Sequence, residues 1–179
     1  MSLSTVDALL DTLRRGASAH DGEVVDLLEH MLQCAALLVE SAPEDLELQA
    51  AGLVHDVGTV LEPSGPATHA VTGAGAVGPL LGARVAALVA GHDHAKRYLV
   101  SADPAYRAQL SEMSVVTLAL QGGDMDAAER TQFETGEHFD ALVALRRADD
   151  AAKTIGRIVP SLDEWEEPLE RLAERQSRS

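Results

Sequence analysis

Residues 52–58 read GLVHDVG, which sets a histidine and an aspartate inside an otherwise apolar run. The spacing of apolar residues predicts a helix here, with His55 and Asp56 placed where the periodicity expects core. Burying two such groups without partners would cost several kcal/mol. A divalent or trivalent cation is the partner that suits a neutral imidazole and a carboxylate together. Three more histidines sit in similar surroundings: His30 in LLEHMLQ, His69 at a predicted helix start, and His92 in LVAGHDH. An acid, Asp149, follows late in the chain within ALRRADDAAK. Each falls on a different helix or helix end, as in sites built where the faces of a helical bundle converge. Any one of these histidines taken alone is more often a hydrogen-bonded core or rim residue. The ordered set H…HD…H…H…D is the signal.

The rest of the chain supplies the helices such a site needs. Ser4 before VDALLDTLRR and Gly16 after it predict a first capped helix. A second is expected from about Glu23 to Ser41, and a third from Pro43 to near Gly58. Two prolines and a glycine make residues 61–68 a loop. Two helices divided near Gly82 follow, then one from Pro104 to the pair Gly122 and Gly123. MDAAERTQFE, FDALVALRRADDAAKTIG and a tail from about Leu162 complete the pattern, the tail as a peripheral amphipathic helix. No strand pattern or internal repeat appears. About nine helices are expected, in an all-α bundle forming a single domain over residues 1–179.

Composition narrows the partners. With 29 acidic against 14 basic residues the formal charge is −15, which repels nucleic acid and anionic membranes. An anionic small substrate then needs a few local cations aimed inward. No segment approaches the roughly 20 uninterrupted apolar residues of a membrane span, and MSLSTVDALLDTLRRG does not read as a secretory signal. The single cysteine, Cys34, excludes an internal disulfide and a thiolate metal cluster. A cytoplasmic protein is expected.

The ordered histidines and aspartates resemble the HD-domain superfamily, which is all-helical and metal-dependent. That resemblance implies that His30, His55, Asp56 and Asp149 hold one metal while Asp56, His69 and His92 hold a second. Two branches share this arrangement: two-metal phosphodiesterases, and the mixed-valence diiron oxygenases related to myo-inositol oxygenase. Iron, manganese and zinc all suit such ligands. Spacing alone does not separate Asp149 from Asp150 as the last ligand; the family pattern favours Asp149.

Residues beside the ligands separate the branches. Lys96 lies four positions after His92 and Glu23 seven before His30, each on the ligand's helical face. Ser114 and Gln121, seven apart, share a face too. Together with the wording HDHAKRYLVSADPAY, LSEMSV, LALQGG and LRRADDAAK, these positions are similar to the phosphonate-degrading HD-domain diiron oxygenases, over roughly Glu23 to Gly156. The resemblance implies that Lys96, Ser114 and Gln121 hold the phosphonate, with Glu23 at the other end of the substrate. Two departures stand out. HDGE puts His20 where the family has a tyrosine that can occupy the open iron, and HDVGT puts Thr59 where it has a substrate-contacting histidine. The substrate's substituent is therefore expected to differ from the usual aminoethyl group, and His20 is itself a candidate metal ligand. Lys153 reads equally as a second site cation and as a surface partner of Asp149 or Asp150. His94 and His138 read as solvated or capping residues, and Cys34 as a core filler.

The resemblance implies two iron ions, Fe(II) and Fe(III), with dioxygen as co-substrate. The expected reaction is oxidative C–P cleavage of a 1-hydroxyphosphonate to inorganic phosphate and a carboxylic acid, with no protein nucleophile. The rival reading is an HD-type phosphohydrolase acting on a nucleotide or other phosphoester, where bridged metals activate water. A non-catalytic helical protein would lack ligands, and none is missing.

Overall fold

Short polar side chains set where several of the helices begin in the computed structural model, which describes residues 3–19, 24–63 and 68–178. Helix α1 (Val6–Arg14) is capped by Thr5, whose hydroxyl accepts from the Ala8 N–H at 3.2 Å. Ser4, the expected cap, is one residue too early, because Thr5 holds the extended backbone a cap requires. Helix α2 (Leu27–Ser41) starts from Asp26, which accepts from the Glu29 N–H at 2.8 Å; the expected start near Glu23 lies outside the described residues. Helix α3 (Leu46–Val54) is capped by Asp45, two residues after Pro43. The same carboxylate receives both Nη1 and Nη2 of Arg84 at 2.6 Å, so one side chain starts α3 and ties it to α6 (Ala83–Ala102).

Two expected helices each break in two. The helix predicted over residues 43–58 stops at Val54; His55 and Asp56 form a turn, and α4 (Val57–Leu61) follows. Asp56 sits at φ −100° and ψ 11°, in the sparsely allowed bridge region that active-site residues often occupy. The break is enforced by packing. A Cβ at Gly58 would lie 1.9 Å from the carbonyl oxygen of His69, so only glycine lets α4 cross the start of α5 (His69–Leu81) this closely. The second break separates α7 (Pro104–Arg107) from α8 (Glu112–Leu120), which the Ser111 hydroxyl caps. Gly122 and Gly123, at φ 104° and 68°, then end α8 in a conformation other residues rarely adopt.

Helix α9 (Ala127–Glu134) opens on a reciprocal cap between Asp126 and Glu129. Helix α10 (Phe139–Ala151) and α11 (Glu166–Ser177) follow, the latter after a 3₁₀ turn at Leu162–Trp165. The two breaks turn the expected nine helices into eleven α-helical segments, and the described residues contain no strand.

Helices α2, α3, α6 and α10 pack on one another, with α5 along α6 and α11 against α5. Their apolar faces meet in one core, where Leu9, Leu13, Met31, Leu38, Leu53, Leu88, Leu145 and Leu169 are fully enclosed. Each such side chain contributes about 1.5–3 kcal/mol relative to exposure. The C-terminal segment belongs to this core through Trp165, Leu169 and Leu172, so it is less peripheral than its amphipathic sequence suggests. A smaller cluster, Leu99, Val100, Tyr106 and Leu118, lies to one side under α7 and α8. Among the described residues no helix is long and apolar enough to cross a membrane.

Candidate metal centre

Six side chains converge from six places in the bundle. His30 comes from α2, His55 follows α3, Asp56 lies at the α3–α4 joint, His69 opens α5, His92 sits within α6, and Asp149 is in the last turn of α10. Nε2 of His30 and Nε2 of His55 are 3.2 Å apart. Asp149 Oδ1 lies 3.2 Å from the first and 3.9 Å from the second. Asp56 divides its two oxygens. Oδ2 is 3.7 Å from His30 Nε2 and 3.3 Å from His55 Nε2. Oδ1 is 3.3 Å from His69 Nε2 and 3.8 Å from His92 Nε2, and those two nitrogens are 3.0 Å apart.

The outer edges of the imidazoles fix which atoms face inward. His30 Nδ1–H donates to the Ala152 carbonyl at 3.0 Å, His55 Nδ1–H to Gly52 at 2.8 Å, and His92 Nδ1–H to Val89 at 2.7 Å. A carbonyl only accepts, so each of these Nδ1 atoms carries the proton and, in the neutral ring, Nε2 presents a lone pair to the centre. Lone pairs 3.2 Å apart repel unless positive charge sits between them. The same demand appears in the titration of the cluster. Burial disfavours a charged His55, yet the Asp56 carboxylate pushes its pKa well above the ordinary value. Burial would raise Asp56, but the imidazoles of His55 and His69 hold it well below the carboxylate range. The donor set therefore fits metal. Donors about 2.0–2.2 Å from one ion lie at most about 4.4 Å apart, and every separation above meets that limit within its own half. The trios His30–His55–Asp56 and Asp56–His69–His92 each gather their ligand atoms within 4.8 Å.

Supporting residues hold this geometry. Arg146, 3% exposed, donates from Nη1 to Asp149 Oδ2 at 2.7 Å and from Nε to the Tyr106 hydroxyl at 2.9 Å. Burial opposes an ionised Asp149, but the Arg146 guanidinium and the nearby imidazoles keep its pKa well below the ordinary range. Asp150 takes the Tyr106 hydroxyl and Arg146 instead, so geometry separates the two acids that spacing could not. Gln33, fully buried, clamps the chain after α10 by accepting from Thr154 N–H at 3.0 Å and donating to its carbonyl at 2.8 Å. That keeps the Ala152 carbonyl against His30. Cys34 is fully buried, as expected of a core filler, and burial raises its thiol pKa.

A cavity of about 260 Å³ opens from the cluster, and Thr59, Lys96, Ser114, Gln121 and Lys153 line it. Lys96 Nζ donates to the Thr117 hydroxyl at 2.8 Å. Burial, reinforced by the charge of Arg146, lowers its pKa to about 8. Gln121 donates from Nε2 to Asp93 Oδ1 at 2.5 Å, while its Oε1 is buried without a partner among the described residues. Lys153 donates to the Ser111 hydroxyl at 3.4 Å. His94 is exposed, and His138 precedes α10 without a side-chain cap bond. His20 and Glu23 lie outside the described residues.

Sequence reasoning passed over Asp93, Arg146, Thr117 and Tyr106. Arg146 is three before Asp149 and Thr117 three after Ser114, so helical spacing offered a signal for both. Asp93, adjacent to His92, had none.

The HD domain family matches residues 27–130 of the chain. A 1-hydroxy-2-(trimethylamino)ethyl phosphonate dioxygenase (glycine-betaine-forming) of Leisingera caerulea is 34% identical over 160 residues, 85% of this chain and 80% of that protein. A hydroxymethylphosphonate dioxygenase of Gimesia maris is 34% identical over 174 residues, 92% of this chain and 86% of its own length. An uncharacterised protein of Acanthamoeba polyphaga mimivirus is 33% identical over 159 residues, 83% of this chain and 72% of its own.

Proposed function

The chain belongs to the HD-domain family, alongside the phosphonate dioxygenases it is similar to, and from that premise we propose that it is a diiron oxygenase cleaving the C–P bond of a small 1-hydroxyphosphonate. His30, His55, Asp56 and Asp149 would hold one iron, and Asp56, His69 and His92 the other. When bound, an Fe(II)/Fe(III) pair supplies the one-electron and dioxygen chemistry that amino-acid side chains lack. Inorganic phosphate and a carboxylic acid leave as products.

The observation that carries this reading is the division of Asp56 between two imidazole pairs beside a cavity that Lys96 also lines. The chain's own groups then have defined tasks. Lys96, at a pKa of about 8, is mostly charged at neutral pH and can trade its Thr117 contact for a phosphonate oxygen. Gln121 and the buried Ser114 line the same space and would fix the orientation of the anion. Thr59 faces the cavity near the metal positions and leaves room that a histidine would fill, which suits a substituent other than aminoethyl. The cavity falls below the roughly 300–1,000 Å³ of drug-sized sites, which favours a small phosphonate over a nucleotide.

The test is oxygen uptake and phosphate release by the iron-loaded protein given a panel of 1-hydroxyphosphonates that starts with hydroxymethylphosphonate. One phosphate released per dioxygen consumed is the expected result. Phosphate released from phosphoesters without oxygen uptake would replace this reading with the phosphohydrolase.

A further inference from the structure

Asp93 has no task in the reading above, yet its carboxylate is turned toward the metal cluster and is only 9% exposed. Oδ1 lies 3.5 Å from His92 Nε2 and 3.9 Å from His69 Nε2. Among the described residues its close polar contacts are those two imidazoles and the Gln121 amide, which donates to it at 2.5 Å, and the charge of Lys96 acts on it as well. One neutral amide offsets less of a buried carboxylate's cost than a cation in direct contact with it would. The neighbouring imidazole makes this worse, because His92 spends its Nδ1 proton on the Val89 carbonyl and turns the Nε2 lone pair toward the same point. Positive charge between Asp93, His69 and His92 resolves all three contacts. Both distances lie inside the limit of about 4.4 Å for two donors to one ion.

The first metal position provides a template. It gathers two imidazoles, one oxygen of Asp56 and a second carboxylate, Asp149, that a neighbouring side chain holds in place. The second position gathers two imidazoles, the other oxygen of Asp56 and Asp93, which Gln121 holds in place. We propose that Asp93 is a carboxylate ligand of the second metal position, so that each ion has two histidines, a share of Asp56 and one carboxylate of its own. This rests on the two-metal reading above. It differs from the six-residue pattern in the sequence, which leaves the second ion with three protein donors.

The experiment is an anaerobic Fe(II) titration of the metal-stripped full-length chain, followed by calorimetry and metal analysis, on the wild type, Asp93→Asn and Asp93→Ala. Melting curves of the stripped proteins verify that each variant is folded. Asn keeps the size and the amide contact with Gln121, while Ala removes every donor atom. The expected result is two ions in all wild-type samples, with the weaker ion's affinity falling at least tenfold in Asp93→Ala, less in Asp93→Asn, and the tighter ion unchanged. Wild-type affinities for both ions in Asp93→Ala would overturn the proposal and leave the two-metal reading standing. A wild-type chain that itself binds a single ion would overturn that reading and the proposal with it.

Discussion

The metal-facing side of the cavity and the side lined by α8 are built to different standards. The metal-facing groups come from α2, α3, α5, α6 and α10, which meet in a core containing Leu38, Leu53, Leu88 and Leu145 with no exposed area. The wall that presents Ser114, Thr117 and Gln121 is α8, where only Ser114 and Leu118 are buried and Val115, Val116 and Leu120 stand exposed. Its apolar support is the small cluster of Leu99, Val100, Tyr106 and Leu118. Ligand atoms must stay within a few tenths of an ångström, and dense packing supplies that. A wall that admits substrate can be lighter, and segments with few buried contacts open first.

The largest effect is expected from Asp56→Ala, which removes the carboxylate shared by both halves. Metal analysis should then show both ions lost or strongly weakened and turnover at background. Full occupancy of either position would break the idea of a shared bridge.

Two truncations compare the regions directly. Leu53→Ala in the main core should cost about 3–5 kcal/mol, and Leu118→Ala, beneath α8, about 2 kcal/mol. Denaturant melts give both values. Leu118→Ala should also raise the KM for phosphonate while leaving metal content intact; equal costs, or lost metal in Leu118→Ala, would erase the distinction.

Lys96 belongs to α6 but serves the wall, and it should trade stability for binding. Its pKa in the fold, about 8, lies below the ordinary 10.5, so keeping it charged opposes folding. The penalty is present in full below pH 8 and fades as pH rises toward 10.5. Lys96→Met is therefore expected to stabilise the metal-free protein at pH 7 by up to about 3 kcal/mol, with the gain shrinking above pH 8. The same variant should bind phosphonate about 100-fold more weakly with unchanged metal content. A smaller effect is expected from Arg146→Lys, which keeps the charge and loses the forked contact to Asp149 and Asp150. The ion beside Asp149 should bind about 10–100-fold more weakly, as metal titration would show.

Much of this was legible in the sequence because polar groups in apolar helices are conspicuous. His30, His55, Asp56, His69 and His92 each interrupt or open an apolar stretch, and the structure brings them together. The all-helical fold followed from periodicity, and the AKRYL and LQGG wording pointed to the phosphonate oxygenases that the chain resembles at 34% identity. The helix breaks at His55–Asp56 and before Ser111 were not legible. Local propensity runs on through GLVHDVG, and the break comes from the crossing of Gly58 and His69, which are distant in sequence. Asp93 escaped for a similar reason. As the neighbour of His92 it belongs to no shared helical face, and only the approach of Gln121 and His69 shows where its carboxylate points.

Low-temperature electron paramagnetic resonance of the iron-loaded, partly reduced full-length protein, with and without a 1-hydroxyphosphonate, tests the central claim most directly. A half-integer-spin signal from a coupled Fe(II)/Fe(III) pair, reshaped when the phosphonate is added, is the expected result. Silence at every redox state, with two zinc or manganese ions found by metal analysis, would contradict the oxygenase and leave a two-metal phosphohydrolase in its place.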